Sequence, residues 1–219
     1  MDYCQAWDLQ RYIAQGRAHG TRIDTVLFLE HLHTYTLGRR GRPTDLLLPR
    51  ETLEWMGARV VDVDRGGEIT FHSPGQLVGY PIINLRGWGG PMQYVRALEA
   101  AIISALGLFG IEAGRIDGLT GVWTHGAKLA AIGVRVSQGI TTHGFALNIN
   151  NDLSWFRHII PCGIHDRKVI SMQQLLGKDV SLEEVAAIMA ESIGDKFGFR
   201  MAKVTPEAVI GSWSLPSMV

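Results

Sequence analysis

The order of apolar and polar residues predicts two clear helices. Over residues 92–109 apolar residues recur at helical spacing, with Pro91 suited to the first turn and Gly110 to the end. A second helix is predicted over about 182–197, where Ser181 and the glutamate three residues later form a capping-box pattern ahead of an apolar stripe.

Outside these helices, seven short segments are rich in β-branched and aromatic residues and bounded by turn residues, which is typical of strands. They are TVLFLEH, ARVVDVD, ITFH, LVGYPIINL, GVWT, KLAAIGVRVS and ITTHGFALNI. Clustered strands with helices before, between and after them predict an α+β fold, a mixed or antiparallel sheet with helices packed mainly on one face. No linker or repeat divides the chain, so we expect one domain over residues 1–219, loosely ordered at its C-terminal end.

Two of these strands place polar residues on apolar faces. In a strand over 127–136, Lys128 shares a face with alternate apolar residues up to Val136, where an ammonium is costly unless it is paired or neutralised. The alternative is that Lys128 lies at the strand end and its head reaches solvent. In the strand over 141–149, His143 falls on a mostly apolar face, which is more often typical of a satisfied core histidine than of a catalyst.

Composition narrows the class of protein. The 219 residues are 46% hydrophobic and 19% charged, and 21 Lys plus Arg balance 21 Asp plus Glu, so no net field favours nucleic acid or an anionic membrane. No apolar run approaches the roughly 20 residues of a membrane-spanning helix. The N-terminus has neither the basic start nor the apolar core of a signal peptide, so we expect a cytoplasmic protein without structural disulfides.

One of the two cysteines has an unusual setting. The segment IIPCGI, 159–164, holds Cys162 between a proline and a glycine, which predicts a tight, defined turn. A reactive thiol and a small buried hydrophobe are both compatible with that position. Cys162 and His165 have C-x-x-H spacing, but no second close pair completes a structural zinc pattern, and we expect neither a metal nor a cofactor.

The segment RGGEITFHSPGQLVGYP, 65–81, is densest in candidate binding residues. Its two glycines allow close backbone approach, and Arg65 offers a fixed fork of donors to an anion or a carbonyl. It has neither G-x-G-x-x-G nor Walker spacing, so it is not a phosphate-binding loop. From pattern alone the favoured interpretation is a hairpin with incidental polar residues. Similarly, TLGRRGRPTDLL, 36–47, is either a solvated loop or a small basic patch for an acidic partner.

Taken together, these motifs resemble the octanoyltransferases of lipoate biosynthesis. RGGEITFHSPGQLVGYP, GVWTHGAKLAAIGVRVSQGITTHGFALNI and PCGI occur in the order and spacing of that family, and YTLGRR at 35–40 also fits it. The resemblance covers roughly residues 5–200. One departure follows the cysteine, where Val169–Ile170–Ser171–Met172 replaces the V-T-S-L that is common in the family.

The resemblance implies a fold like the catalytic domain of biotin- and lipoate-protein ligases, and transfer of octanoyl from acyl carrier protein to a lysine of a lipoyl domain. The acceptors would be E2 subunits of 2-oxoacid dehydrogenases and the glycine-cleavage H protein, and the enzyme would be a monomer. Cys162 would carry the acyl thioester with Lys128 as its partner, and His143 would support the site. The acyl pocket would be lined by Arg65, Gly66, Gly67, Glu68, Ile69, Thr70, Phe71, His72, Ala131, Ile132, Gly133, Gly144, Phe145 and Ala146.

The implied chemistry needs no ATP, because exchange between thioesters is nearly isoenergetic and the final amide is more stable. A neighbouring ammonium would favour the Cys162 thiolate, and the same lysine, once neutral, would accept the proton of the incoming amine. Two alternatives stay open. One is an ATP-dependent lipoate-protein ligase of the same fold, and the other is a non-catalytic module that binds lipoyl domains or acyl carrier protein.

Overall fold

The computed structural model describes residues 1–160 and 168–211, so the predicted turn at Cys162 and His165 lies outside the described residues. The helices are α1 (Tyr3–Ala18), α2 (Arg50–Trp55), α3 (Pro91–Leu108), α4 (Met172–Leu176), α5 (Leu182–Phe197) and α6 (Pro206–Ile210), with 3-10 helices at Pro43–Asp45 and Leu153–His158. The strands are β1 (Thr25–Leu29), β2 (Thr34–Leu37), β3 (Arg59–Asp62), β4 (Ile69–His72), β5 (Gln76–Ile82), β6 (Gly114–Ile116), β7 (Leu119–Thr124), β8 (Ala127–Ser137) and β9 (Ile140–Asn148).

The strands form two sheets. The larger has the order β1-β5-β9-β8-β7-β6 with antiparallel neighbours throughout, and the smaller has the order β3-β2-β4, in which β2 pairs with β3 in parallel and with β4 antiparallel. The predicted α+β class is therefore confirmed. The hairpin interpretation of 65–81 is wrong, because β4 and β5 belong to different sheets and Gly75, at φ 83°, turns the chain from one to the other.

Helices α3 and α5 cover one face of the larger sheet. Both predicted helices are confirmed, and the Oγ of Ser181 caps α5 by accepting the N–H of Glu184. Their apolar stripes pack with the sheet in a common core that includes Leu98, Ile102, Val185, Met189, Leu129 and Leu147. None of the helices in the described ranges has the length and continuous apolarity that crossing a membrane requires.

The opposite face of the larger sheet is partly covered by α1. Asp2 caps this helix by accepting the N–H groups of Cys4 and Gln5. The helix buries Ala6 and Ile13 against β5 and β9. The sequence pattern indicated cover mainly on one face; the structure shows cover on both, with the smaller sheet over the remaining area.

A register shift between β7 and β8 changes the face on which Lys128 lies. Val122 pairs with Ala130 whereas Trp123 pairs with Lys128, so Leu129 is an extra residue and forms a β-bulge. Leu129 and Ala130 are consecutive, yet both pack in the core below α3 and α5. The predicted regular alternation from Lys128 is therefore wrong, because the bulge moves Lys128 away from that apolar face.

We expect Gly144→Ala to lower the free energy of unfolding by about 1–3 kcal/mol, the usual cost of overpacking a core. A β-carbon at this position would overlap the carbonyl oxygen of Gly79 and lie 2.7 Å from Cδ of Pro81. Urea denaturation measures the change. Gly114→Ala is the matched control, because Gly114 is also a strand residue and its β-carbon would have open space. Equal stability of the two variants would contradict the prediction.

Candidate functional site

A cavity of about 420 Å³ lies between the two sheets. Its floor is formed by β8 and β9 of the larger sheet, and the segment 65–72, which ends in β4, forms its roof. Lys128 lies at one end of the floor and Tyr3 of α1 closes one side. The site therefore combines segments from most of the chain.

Most of the residues predicted to bind the acyl group line this cavity. They are Arg65, Gly67, Glu68, Ile69, Thr70, His72, Ala131, Ile132, Gly133, Gly144, Phe145 and Ala146, together with Lys128 and His143. Phe71 does not, because alternation along β4 turns it into the core of the smaller sheet, where it stacks on Trp155. Gly66 does not either, because it backs onto β8 and donates its N–H to the carbonyl of Val134 at 2.9 Å. Their roles in binding stay predictions.

Arg65 fastens the roof of the cavity. Its side chain is buried, and Nη2 donates to the carbonyl and the Oγ1 of Thr36 at 2.7 and 2.9 Å. Nη1 donates to the carbonyl of Gly66 at 3.1 Å. The guanidinium thus directs its donors to oxygens of the protein itself, and it holds β2 and the glycine loop together.

Lys128 is fixed at the cavity by its own backbone. Its N–H donates to the carbonyl of Lys168 at 2.9 Å, and its carbonyl accepts the N–H of Ile170 at 3.1 Å. The ammonium lies 4.7 Å from the ring centroid of Trp123, a cation–π distance. Gly121, at φ 125°, lies close to the backbone of β8, since a β-carbon there would lie 2.7 Å from the carbonyl oxygen of Ala130 and in ordinary contact with Cε of Lys128.

The described residues that precede and follow Cys162 also reach the cavity. Phe156, in the 3-10 helix Leu153–His158, lines it, and so does Val169, the residue after Lys168. Val169 forms an isolated parallel bridge with Lys128. The described segments on either side of residues 161–167 therefore both contribute residues to the cavity.

His143 is a buried histidine with a strained backbone. Its φ of 58° is rare for a residue other than glycine, and its N–H donates to Oε1 of Gln10 at 2.6 Å. Nε2 donates to Oδ1 of Asp64 at 2.8 Å, and Nδ1 lies 3.4 Å from the hydroxyl of Tyr3. The prediction of a satisfied histidine is confirmed, but the predicted apolar face is wrong, because the positive φ turns the side chain away from Phe145 and towards α1.

A second group of hydrogen bonds completes the polar wall. The hydroxyl of Tyr80 and Nε2 of His31 are 2.7 Å apart. Nδ1 of His72 donates to Oε1 of Gln76 at 2.9 Å, and Nε2 of Gln76 donates to Oδ1 of Asn148 at 3.0 Å. This wall fixes the orientation of side chains from β4, β5 and β9.

Several residues at the site were not predicted from the sequence. Gln76 and Tyr80 lie in the quoted motif and alternate along β5 on the cavity side, so the strand period could have identified them. Tyr3 and His31 had no local signal, because they come from the first 31 residues and meet the motif only through the fold.

Burial keeps three histidines and one tyrosine at the cavity uncharged. It lowers the pKa of His31 to about 4 and also lowers the pKa of His143. The pKa of His72 falls well below its usual range because of burial and the nearby His31 and Arg65. Burial raises the pKa of Tyr3 to about 12. At neutral pH these side chains are therefore neutral, whereas the ionisable Arg40, Arg65, Glu68 and Lys128 also line the cavity.

Within the described part of the chain, no three His, Cys, Asp or Glu residues converge in a way that could hold a metal ion.

The model of the lipoyl protein ligase A/B catalytic domain matches residues 2–194 of the chain, and the protein belongs to that family. An octanoyltransferase of Solibacter usitatus is 48% identical over 202 residues, which cover 92% of this chain and 91% of the relative. An octanoyltransferase of Chloroflexus aggregans is 47% identical over 204 residues, covering 91% and 92%. The predicted resemblance to octanoyltransferases is thereby confirmed, and the enzyme is an acyltransferase.

The fold has also been seen in a solved structure. A crystal structure of lipoate-protein ligase A bound with ATP superposes with a TM-score of 0.71, covering 91% of this chain and 87% of the ligase. Its sequence is 16% identical to this one, so the likeness concerns the fold. The predicted similarity to lipoate-ligase catalytic domains is confirmed.

The free energy of unfolding is expected to fall as the pH drops from about 7 towards 4. His31 has a pKa of about 4 in the folded protein and about 6.5 when unfolded, so between these values the unfolded chain binds more protons. One such group contributes up to about 1.4 kcal/mol per pH unit, and His72 and His143 act in the same direction. Urea titrations at several pH values measure the slope.

His31→Asn tests the origin of this slope, because it removes one of the titrating groups. We expect a flatter dependence of unfolding free energy on pH between 7 and 5 than in the wild type. His19→Asn is the matched control, since His19 is exposed after α1 and should leave the slope unchanged. A wild-type slope in His31→Asn would contradict the assignment.

Proposed function

We propose that the enzyme transfers an octanoyl group from acyl carrier protein to a specific lysine of a lipoyl domain, through a thioester on Cys162. The reaction would be a step of protein lipoylation in the cytoplasm. The observation that carries this proposal is the position of Lys128 at one end of the cavity between the two sheets, bonded through its backbone to Lys168 and Ile170, which follow Cys162 in the chain. Relatives named octanoyltransferases over nearly the whole chain agree with it.

The floor of the cavity suits a linear acyl chain. Ala131 pairs with Ala146 across β8 and β9, and Gly133 pairs with Gly144 in the same register. The two alanines leave space that larger side chains would fill, and Ile69 and Phe145 add apolar wall. The two glycines instead admit neighbouring backbone, because a β-carbon at Gly133 or Gly144 would meet the carbonyl oxygen of Gly66 or Gly79. Each methylene buried there contributes about 0.8 kcal/mol. A volume of about 420 Å³ lies within the usual range for a small-molecule pocket.

The first half of the reaction moves the acyl group to the enzyme. The Cys162 thiolate attacks the carbonyl carbon of the donor thioester, a new C–S bond forms, and the bond to the carrier's sulfur breaks. The carrier's thiolate leaves and takes a proton from the Lys128 ammonium, which leaves Lys128 neutral for the second half. The ammonium of Lys128 would favour the thiolate form of Cys162.

The second half forms the amide. The amine of the acceptor lysine attacks the carbonyl carbon of the Cys162 thioester, a C–N bond forms, and the C–S bond breaks. Cys162 leaves as a thiolate, and the proton lost by the amine passes to a neutral Lys128. The amide is more stable than the thioester, so the two steps need no ATP.

Octanoyl-acyl carrier protein alone is expected to add the mass of one octanoyl group to the wild-type enzyme, without ATP. Cys162→Ala should remain unmodified, because it lacks the proposed nucleophile. Cys4→Ala is the matched control, since Cys4 lies in α1 and has no proposed role, and it should be acylated like the wild type. Intact-mass spectrometry measures the three proteins. An unmodified wild type would overturn the proposal.

Lys128→Met should slow amide formation by about 10²–10⁴-fold, the usual contribution of a positioned general base. Methionine keeps much of the stem beside Gly121 and removes the ammonium. Single-turnover transfer from octanoyl donor to lipoyl domain, followed by mass spectrometry, gives the rate. Lys178→Met, at an exposed lysine after α4, should transfer at the wild-type rate. A wild-type rate in Lys128→Met would exclude this role.

A further inference from the structure

We propose that Glu99, a buried residue of α3, is a positioning residue for Lys128 in amide formation. Its side chain is fully buried in α3 and lies outside the lining of the cavity. A buried carboxylate is costly unless it is paired and hydrogen-bonded, so its partners show what it stabilises. The inference rests on the proposed function, because it concerns the residue that accepts the proton of the incoming amine.

The carboxylate of Glu99 joins α3 to two strands. Its Oε2 accepts Nη1 of Arg96 at 2.8 Å and Nε of Arg115 at 2.9 Å, and its Oε1 accepts the N–H of Gly121 at 3.1 Å. Nη2 of Arg115 also donates to the carbonyl of Arg96 at 2.9 Å. Arg115 belongs to β6 and Gly121 to β7, so one side chain ties both strands of this hairpin to the helix.

These bonds are made where the pairing of β6 and β7 is irregular. Between two successive register pairs, β6 contributes only Arg115 whereas β7 contributes residues 120–122. A bulge of this kind interrupts the regular ladder of backbone hydrogen bonds. Glu99 provides the acceptor for the N–H of Gly121 at this point, and a buried N–H that loses its acceptor destabilises the local structure. Glu99 therefore stabilises the shape of β7.

This part of β7 contacts Lys128. Trp123 pairs with Lys128 across β7 and β8, and the ammonium lies 4.7 Å from its ring centroid. A β-carbon at Gly121 would lie 3.6 Å from Cε of Lys128. Residues 118–120 line the cavity together with Lys128. A change in the shape of β7 would therefore move the surface against which the lysine side chain is held.

The position of Lys128 matters because it has to reach the proton of the attacking amine. A general base acts only within hydrogen-bond reach, and a small displacement of a reacting group lowers the rate strongly. Glu99→Gln keeps the size of the side chain and one oxygen for Gly121. It replaces the other oxygen by an NH₂ group, which cannot accept from Arg96 or Arg115. The substitution thus releases β6 and the bulge from α3.

A double-mutant cycle on the whole chain tests this role. Glu99→Gln should slow single-turnover amide formation by about 10- to 100-fold, because Lys128 is displaced. The concentration of lipoyl domain that gives half the maximal rate should not change. In the background of Lys128→Met, the same substitution should cause no further loss, because the group that it positions is already absent.

Asp24→Asn is the matched control. Like Glu99, Asp24 accepts an arginine and a backbone N–H, from Nε of Arg17 at 2.6 Å and from Asn84 at 2.8 Å. It precedes β1, which lies at the opposite edge of the larger sheet from β6. This variant should form the amide at the wild-type rate.

A spectroscopic measurement reports the position of Lys128 without any reaction. Reductive methylation with ¹³C-formaldehyde labels the lysine side chains, and the Lys128 signal is identified by its absence in Lys128→Met. In the wild type the ring of Trp123 should shift this signal upfield. In Glu99→Gln it should move towards the signals of the exposed lysines. If Glu99→Gln does not fold, Arg115→Gln allows both measurements, because it removes one partner of the carboxylate from a half-exposed position.

Three outcomes would overturn the proposal. A wild-type rate of amide formation in the variant would show that Lys128 does not need Glu99. An equal loss in the wild-type and Lys128→Met backgrounds would assign Glu99 a general structural role. An unmoved Lys128 signal would exclude positioning even if the rate fell. A wild-type enzyme that accepts no octanoyl group would instead refute the function proposed above, and the expected movement of the Lys128 signal would still be measurable.

Discussion

The site depends on one close contact, where the loop 65–67 meets β8 with no side chain between the two backbones. Gly66 donates its N–H to Val134, and a β-carbon at Gly133 would lie 2.8 Å from the carbonyl oxygen of Gly66. On the other side of the loop, a β-carbon at Gly38 would lie 2.5 Å from the carbonyl of Gly67. These glycines set the height of the cavity roof, and Arg65 holds it there through Thr36.

Local sequence was sufficient to predict the elements in which apolar residues recur at a regular spacing. The helices α3 and α5 follow from apolar spacing and from their end residues, because both signals act within a few residues. The division of the strands between two sheets could not be predicted from local sequence. It depends on contacts between residues far apart in the chain, such as the hydrogen bond from the N–H of Gly75 to Glu30. The strand faces predicted for Lys128 and His143 were wrong for a related reason. One β-bulge and one positive φ break the regular alternation of side chains that the prediction assumes.

For the site, the motifs identified most of the cavity wall but assigned roles only through the resemblance to a family. Phe71 shows the limit of assigning every residue of a family motif to the pocket. Side chains alternate along a strand, so Phe71 lies on the face opposite to Thr70 and His72. Tyr3 and His31 show the opposite limit. Tyr3 lines the cavity and His31 bonds to the hydroxyl of Tyr80, which also lines it, yet nothing in their local sequence distinguishes them from ordinary core residues.

The hydrogen-bonded wall has a consequence for the lifetime of a stored acyl group. A thioester is vulnerable to water whenever a nearby imidazole can act as a general base. Here both ring nitrogens of His143 are engaged, with Asp64 and Tyr3, and both of His31 are engaged, with Tyr80 and the carbonyl of Met1. Their lowered pKa values also make them weak bases. In the proposed reaction, the same contacts that shape the cavity would therefore leave these imidazoles poor catalysts of hydrolysis while the acyl group waits for its acceptor.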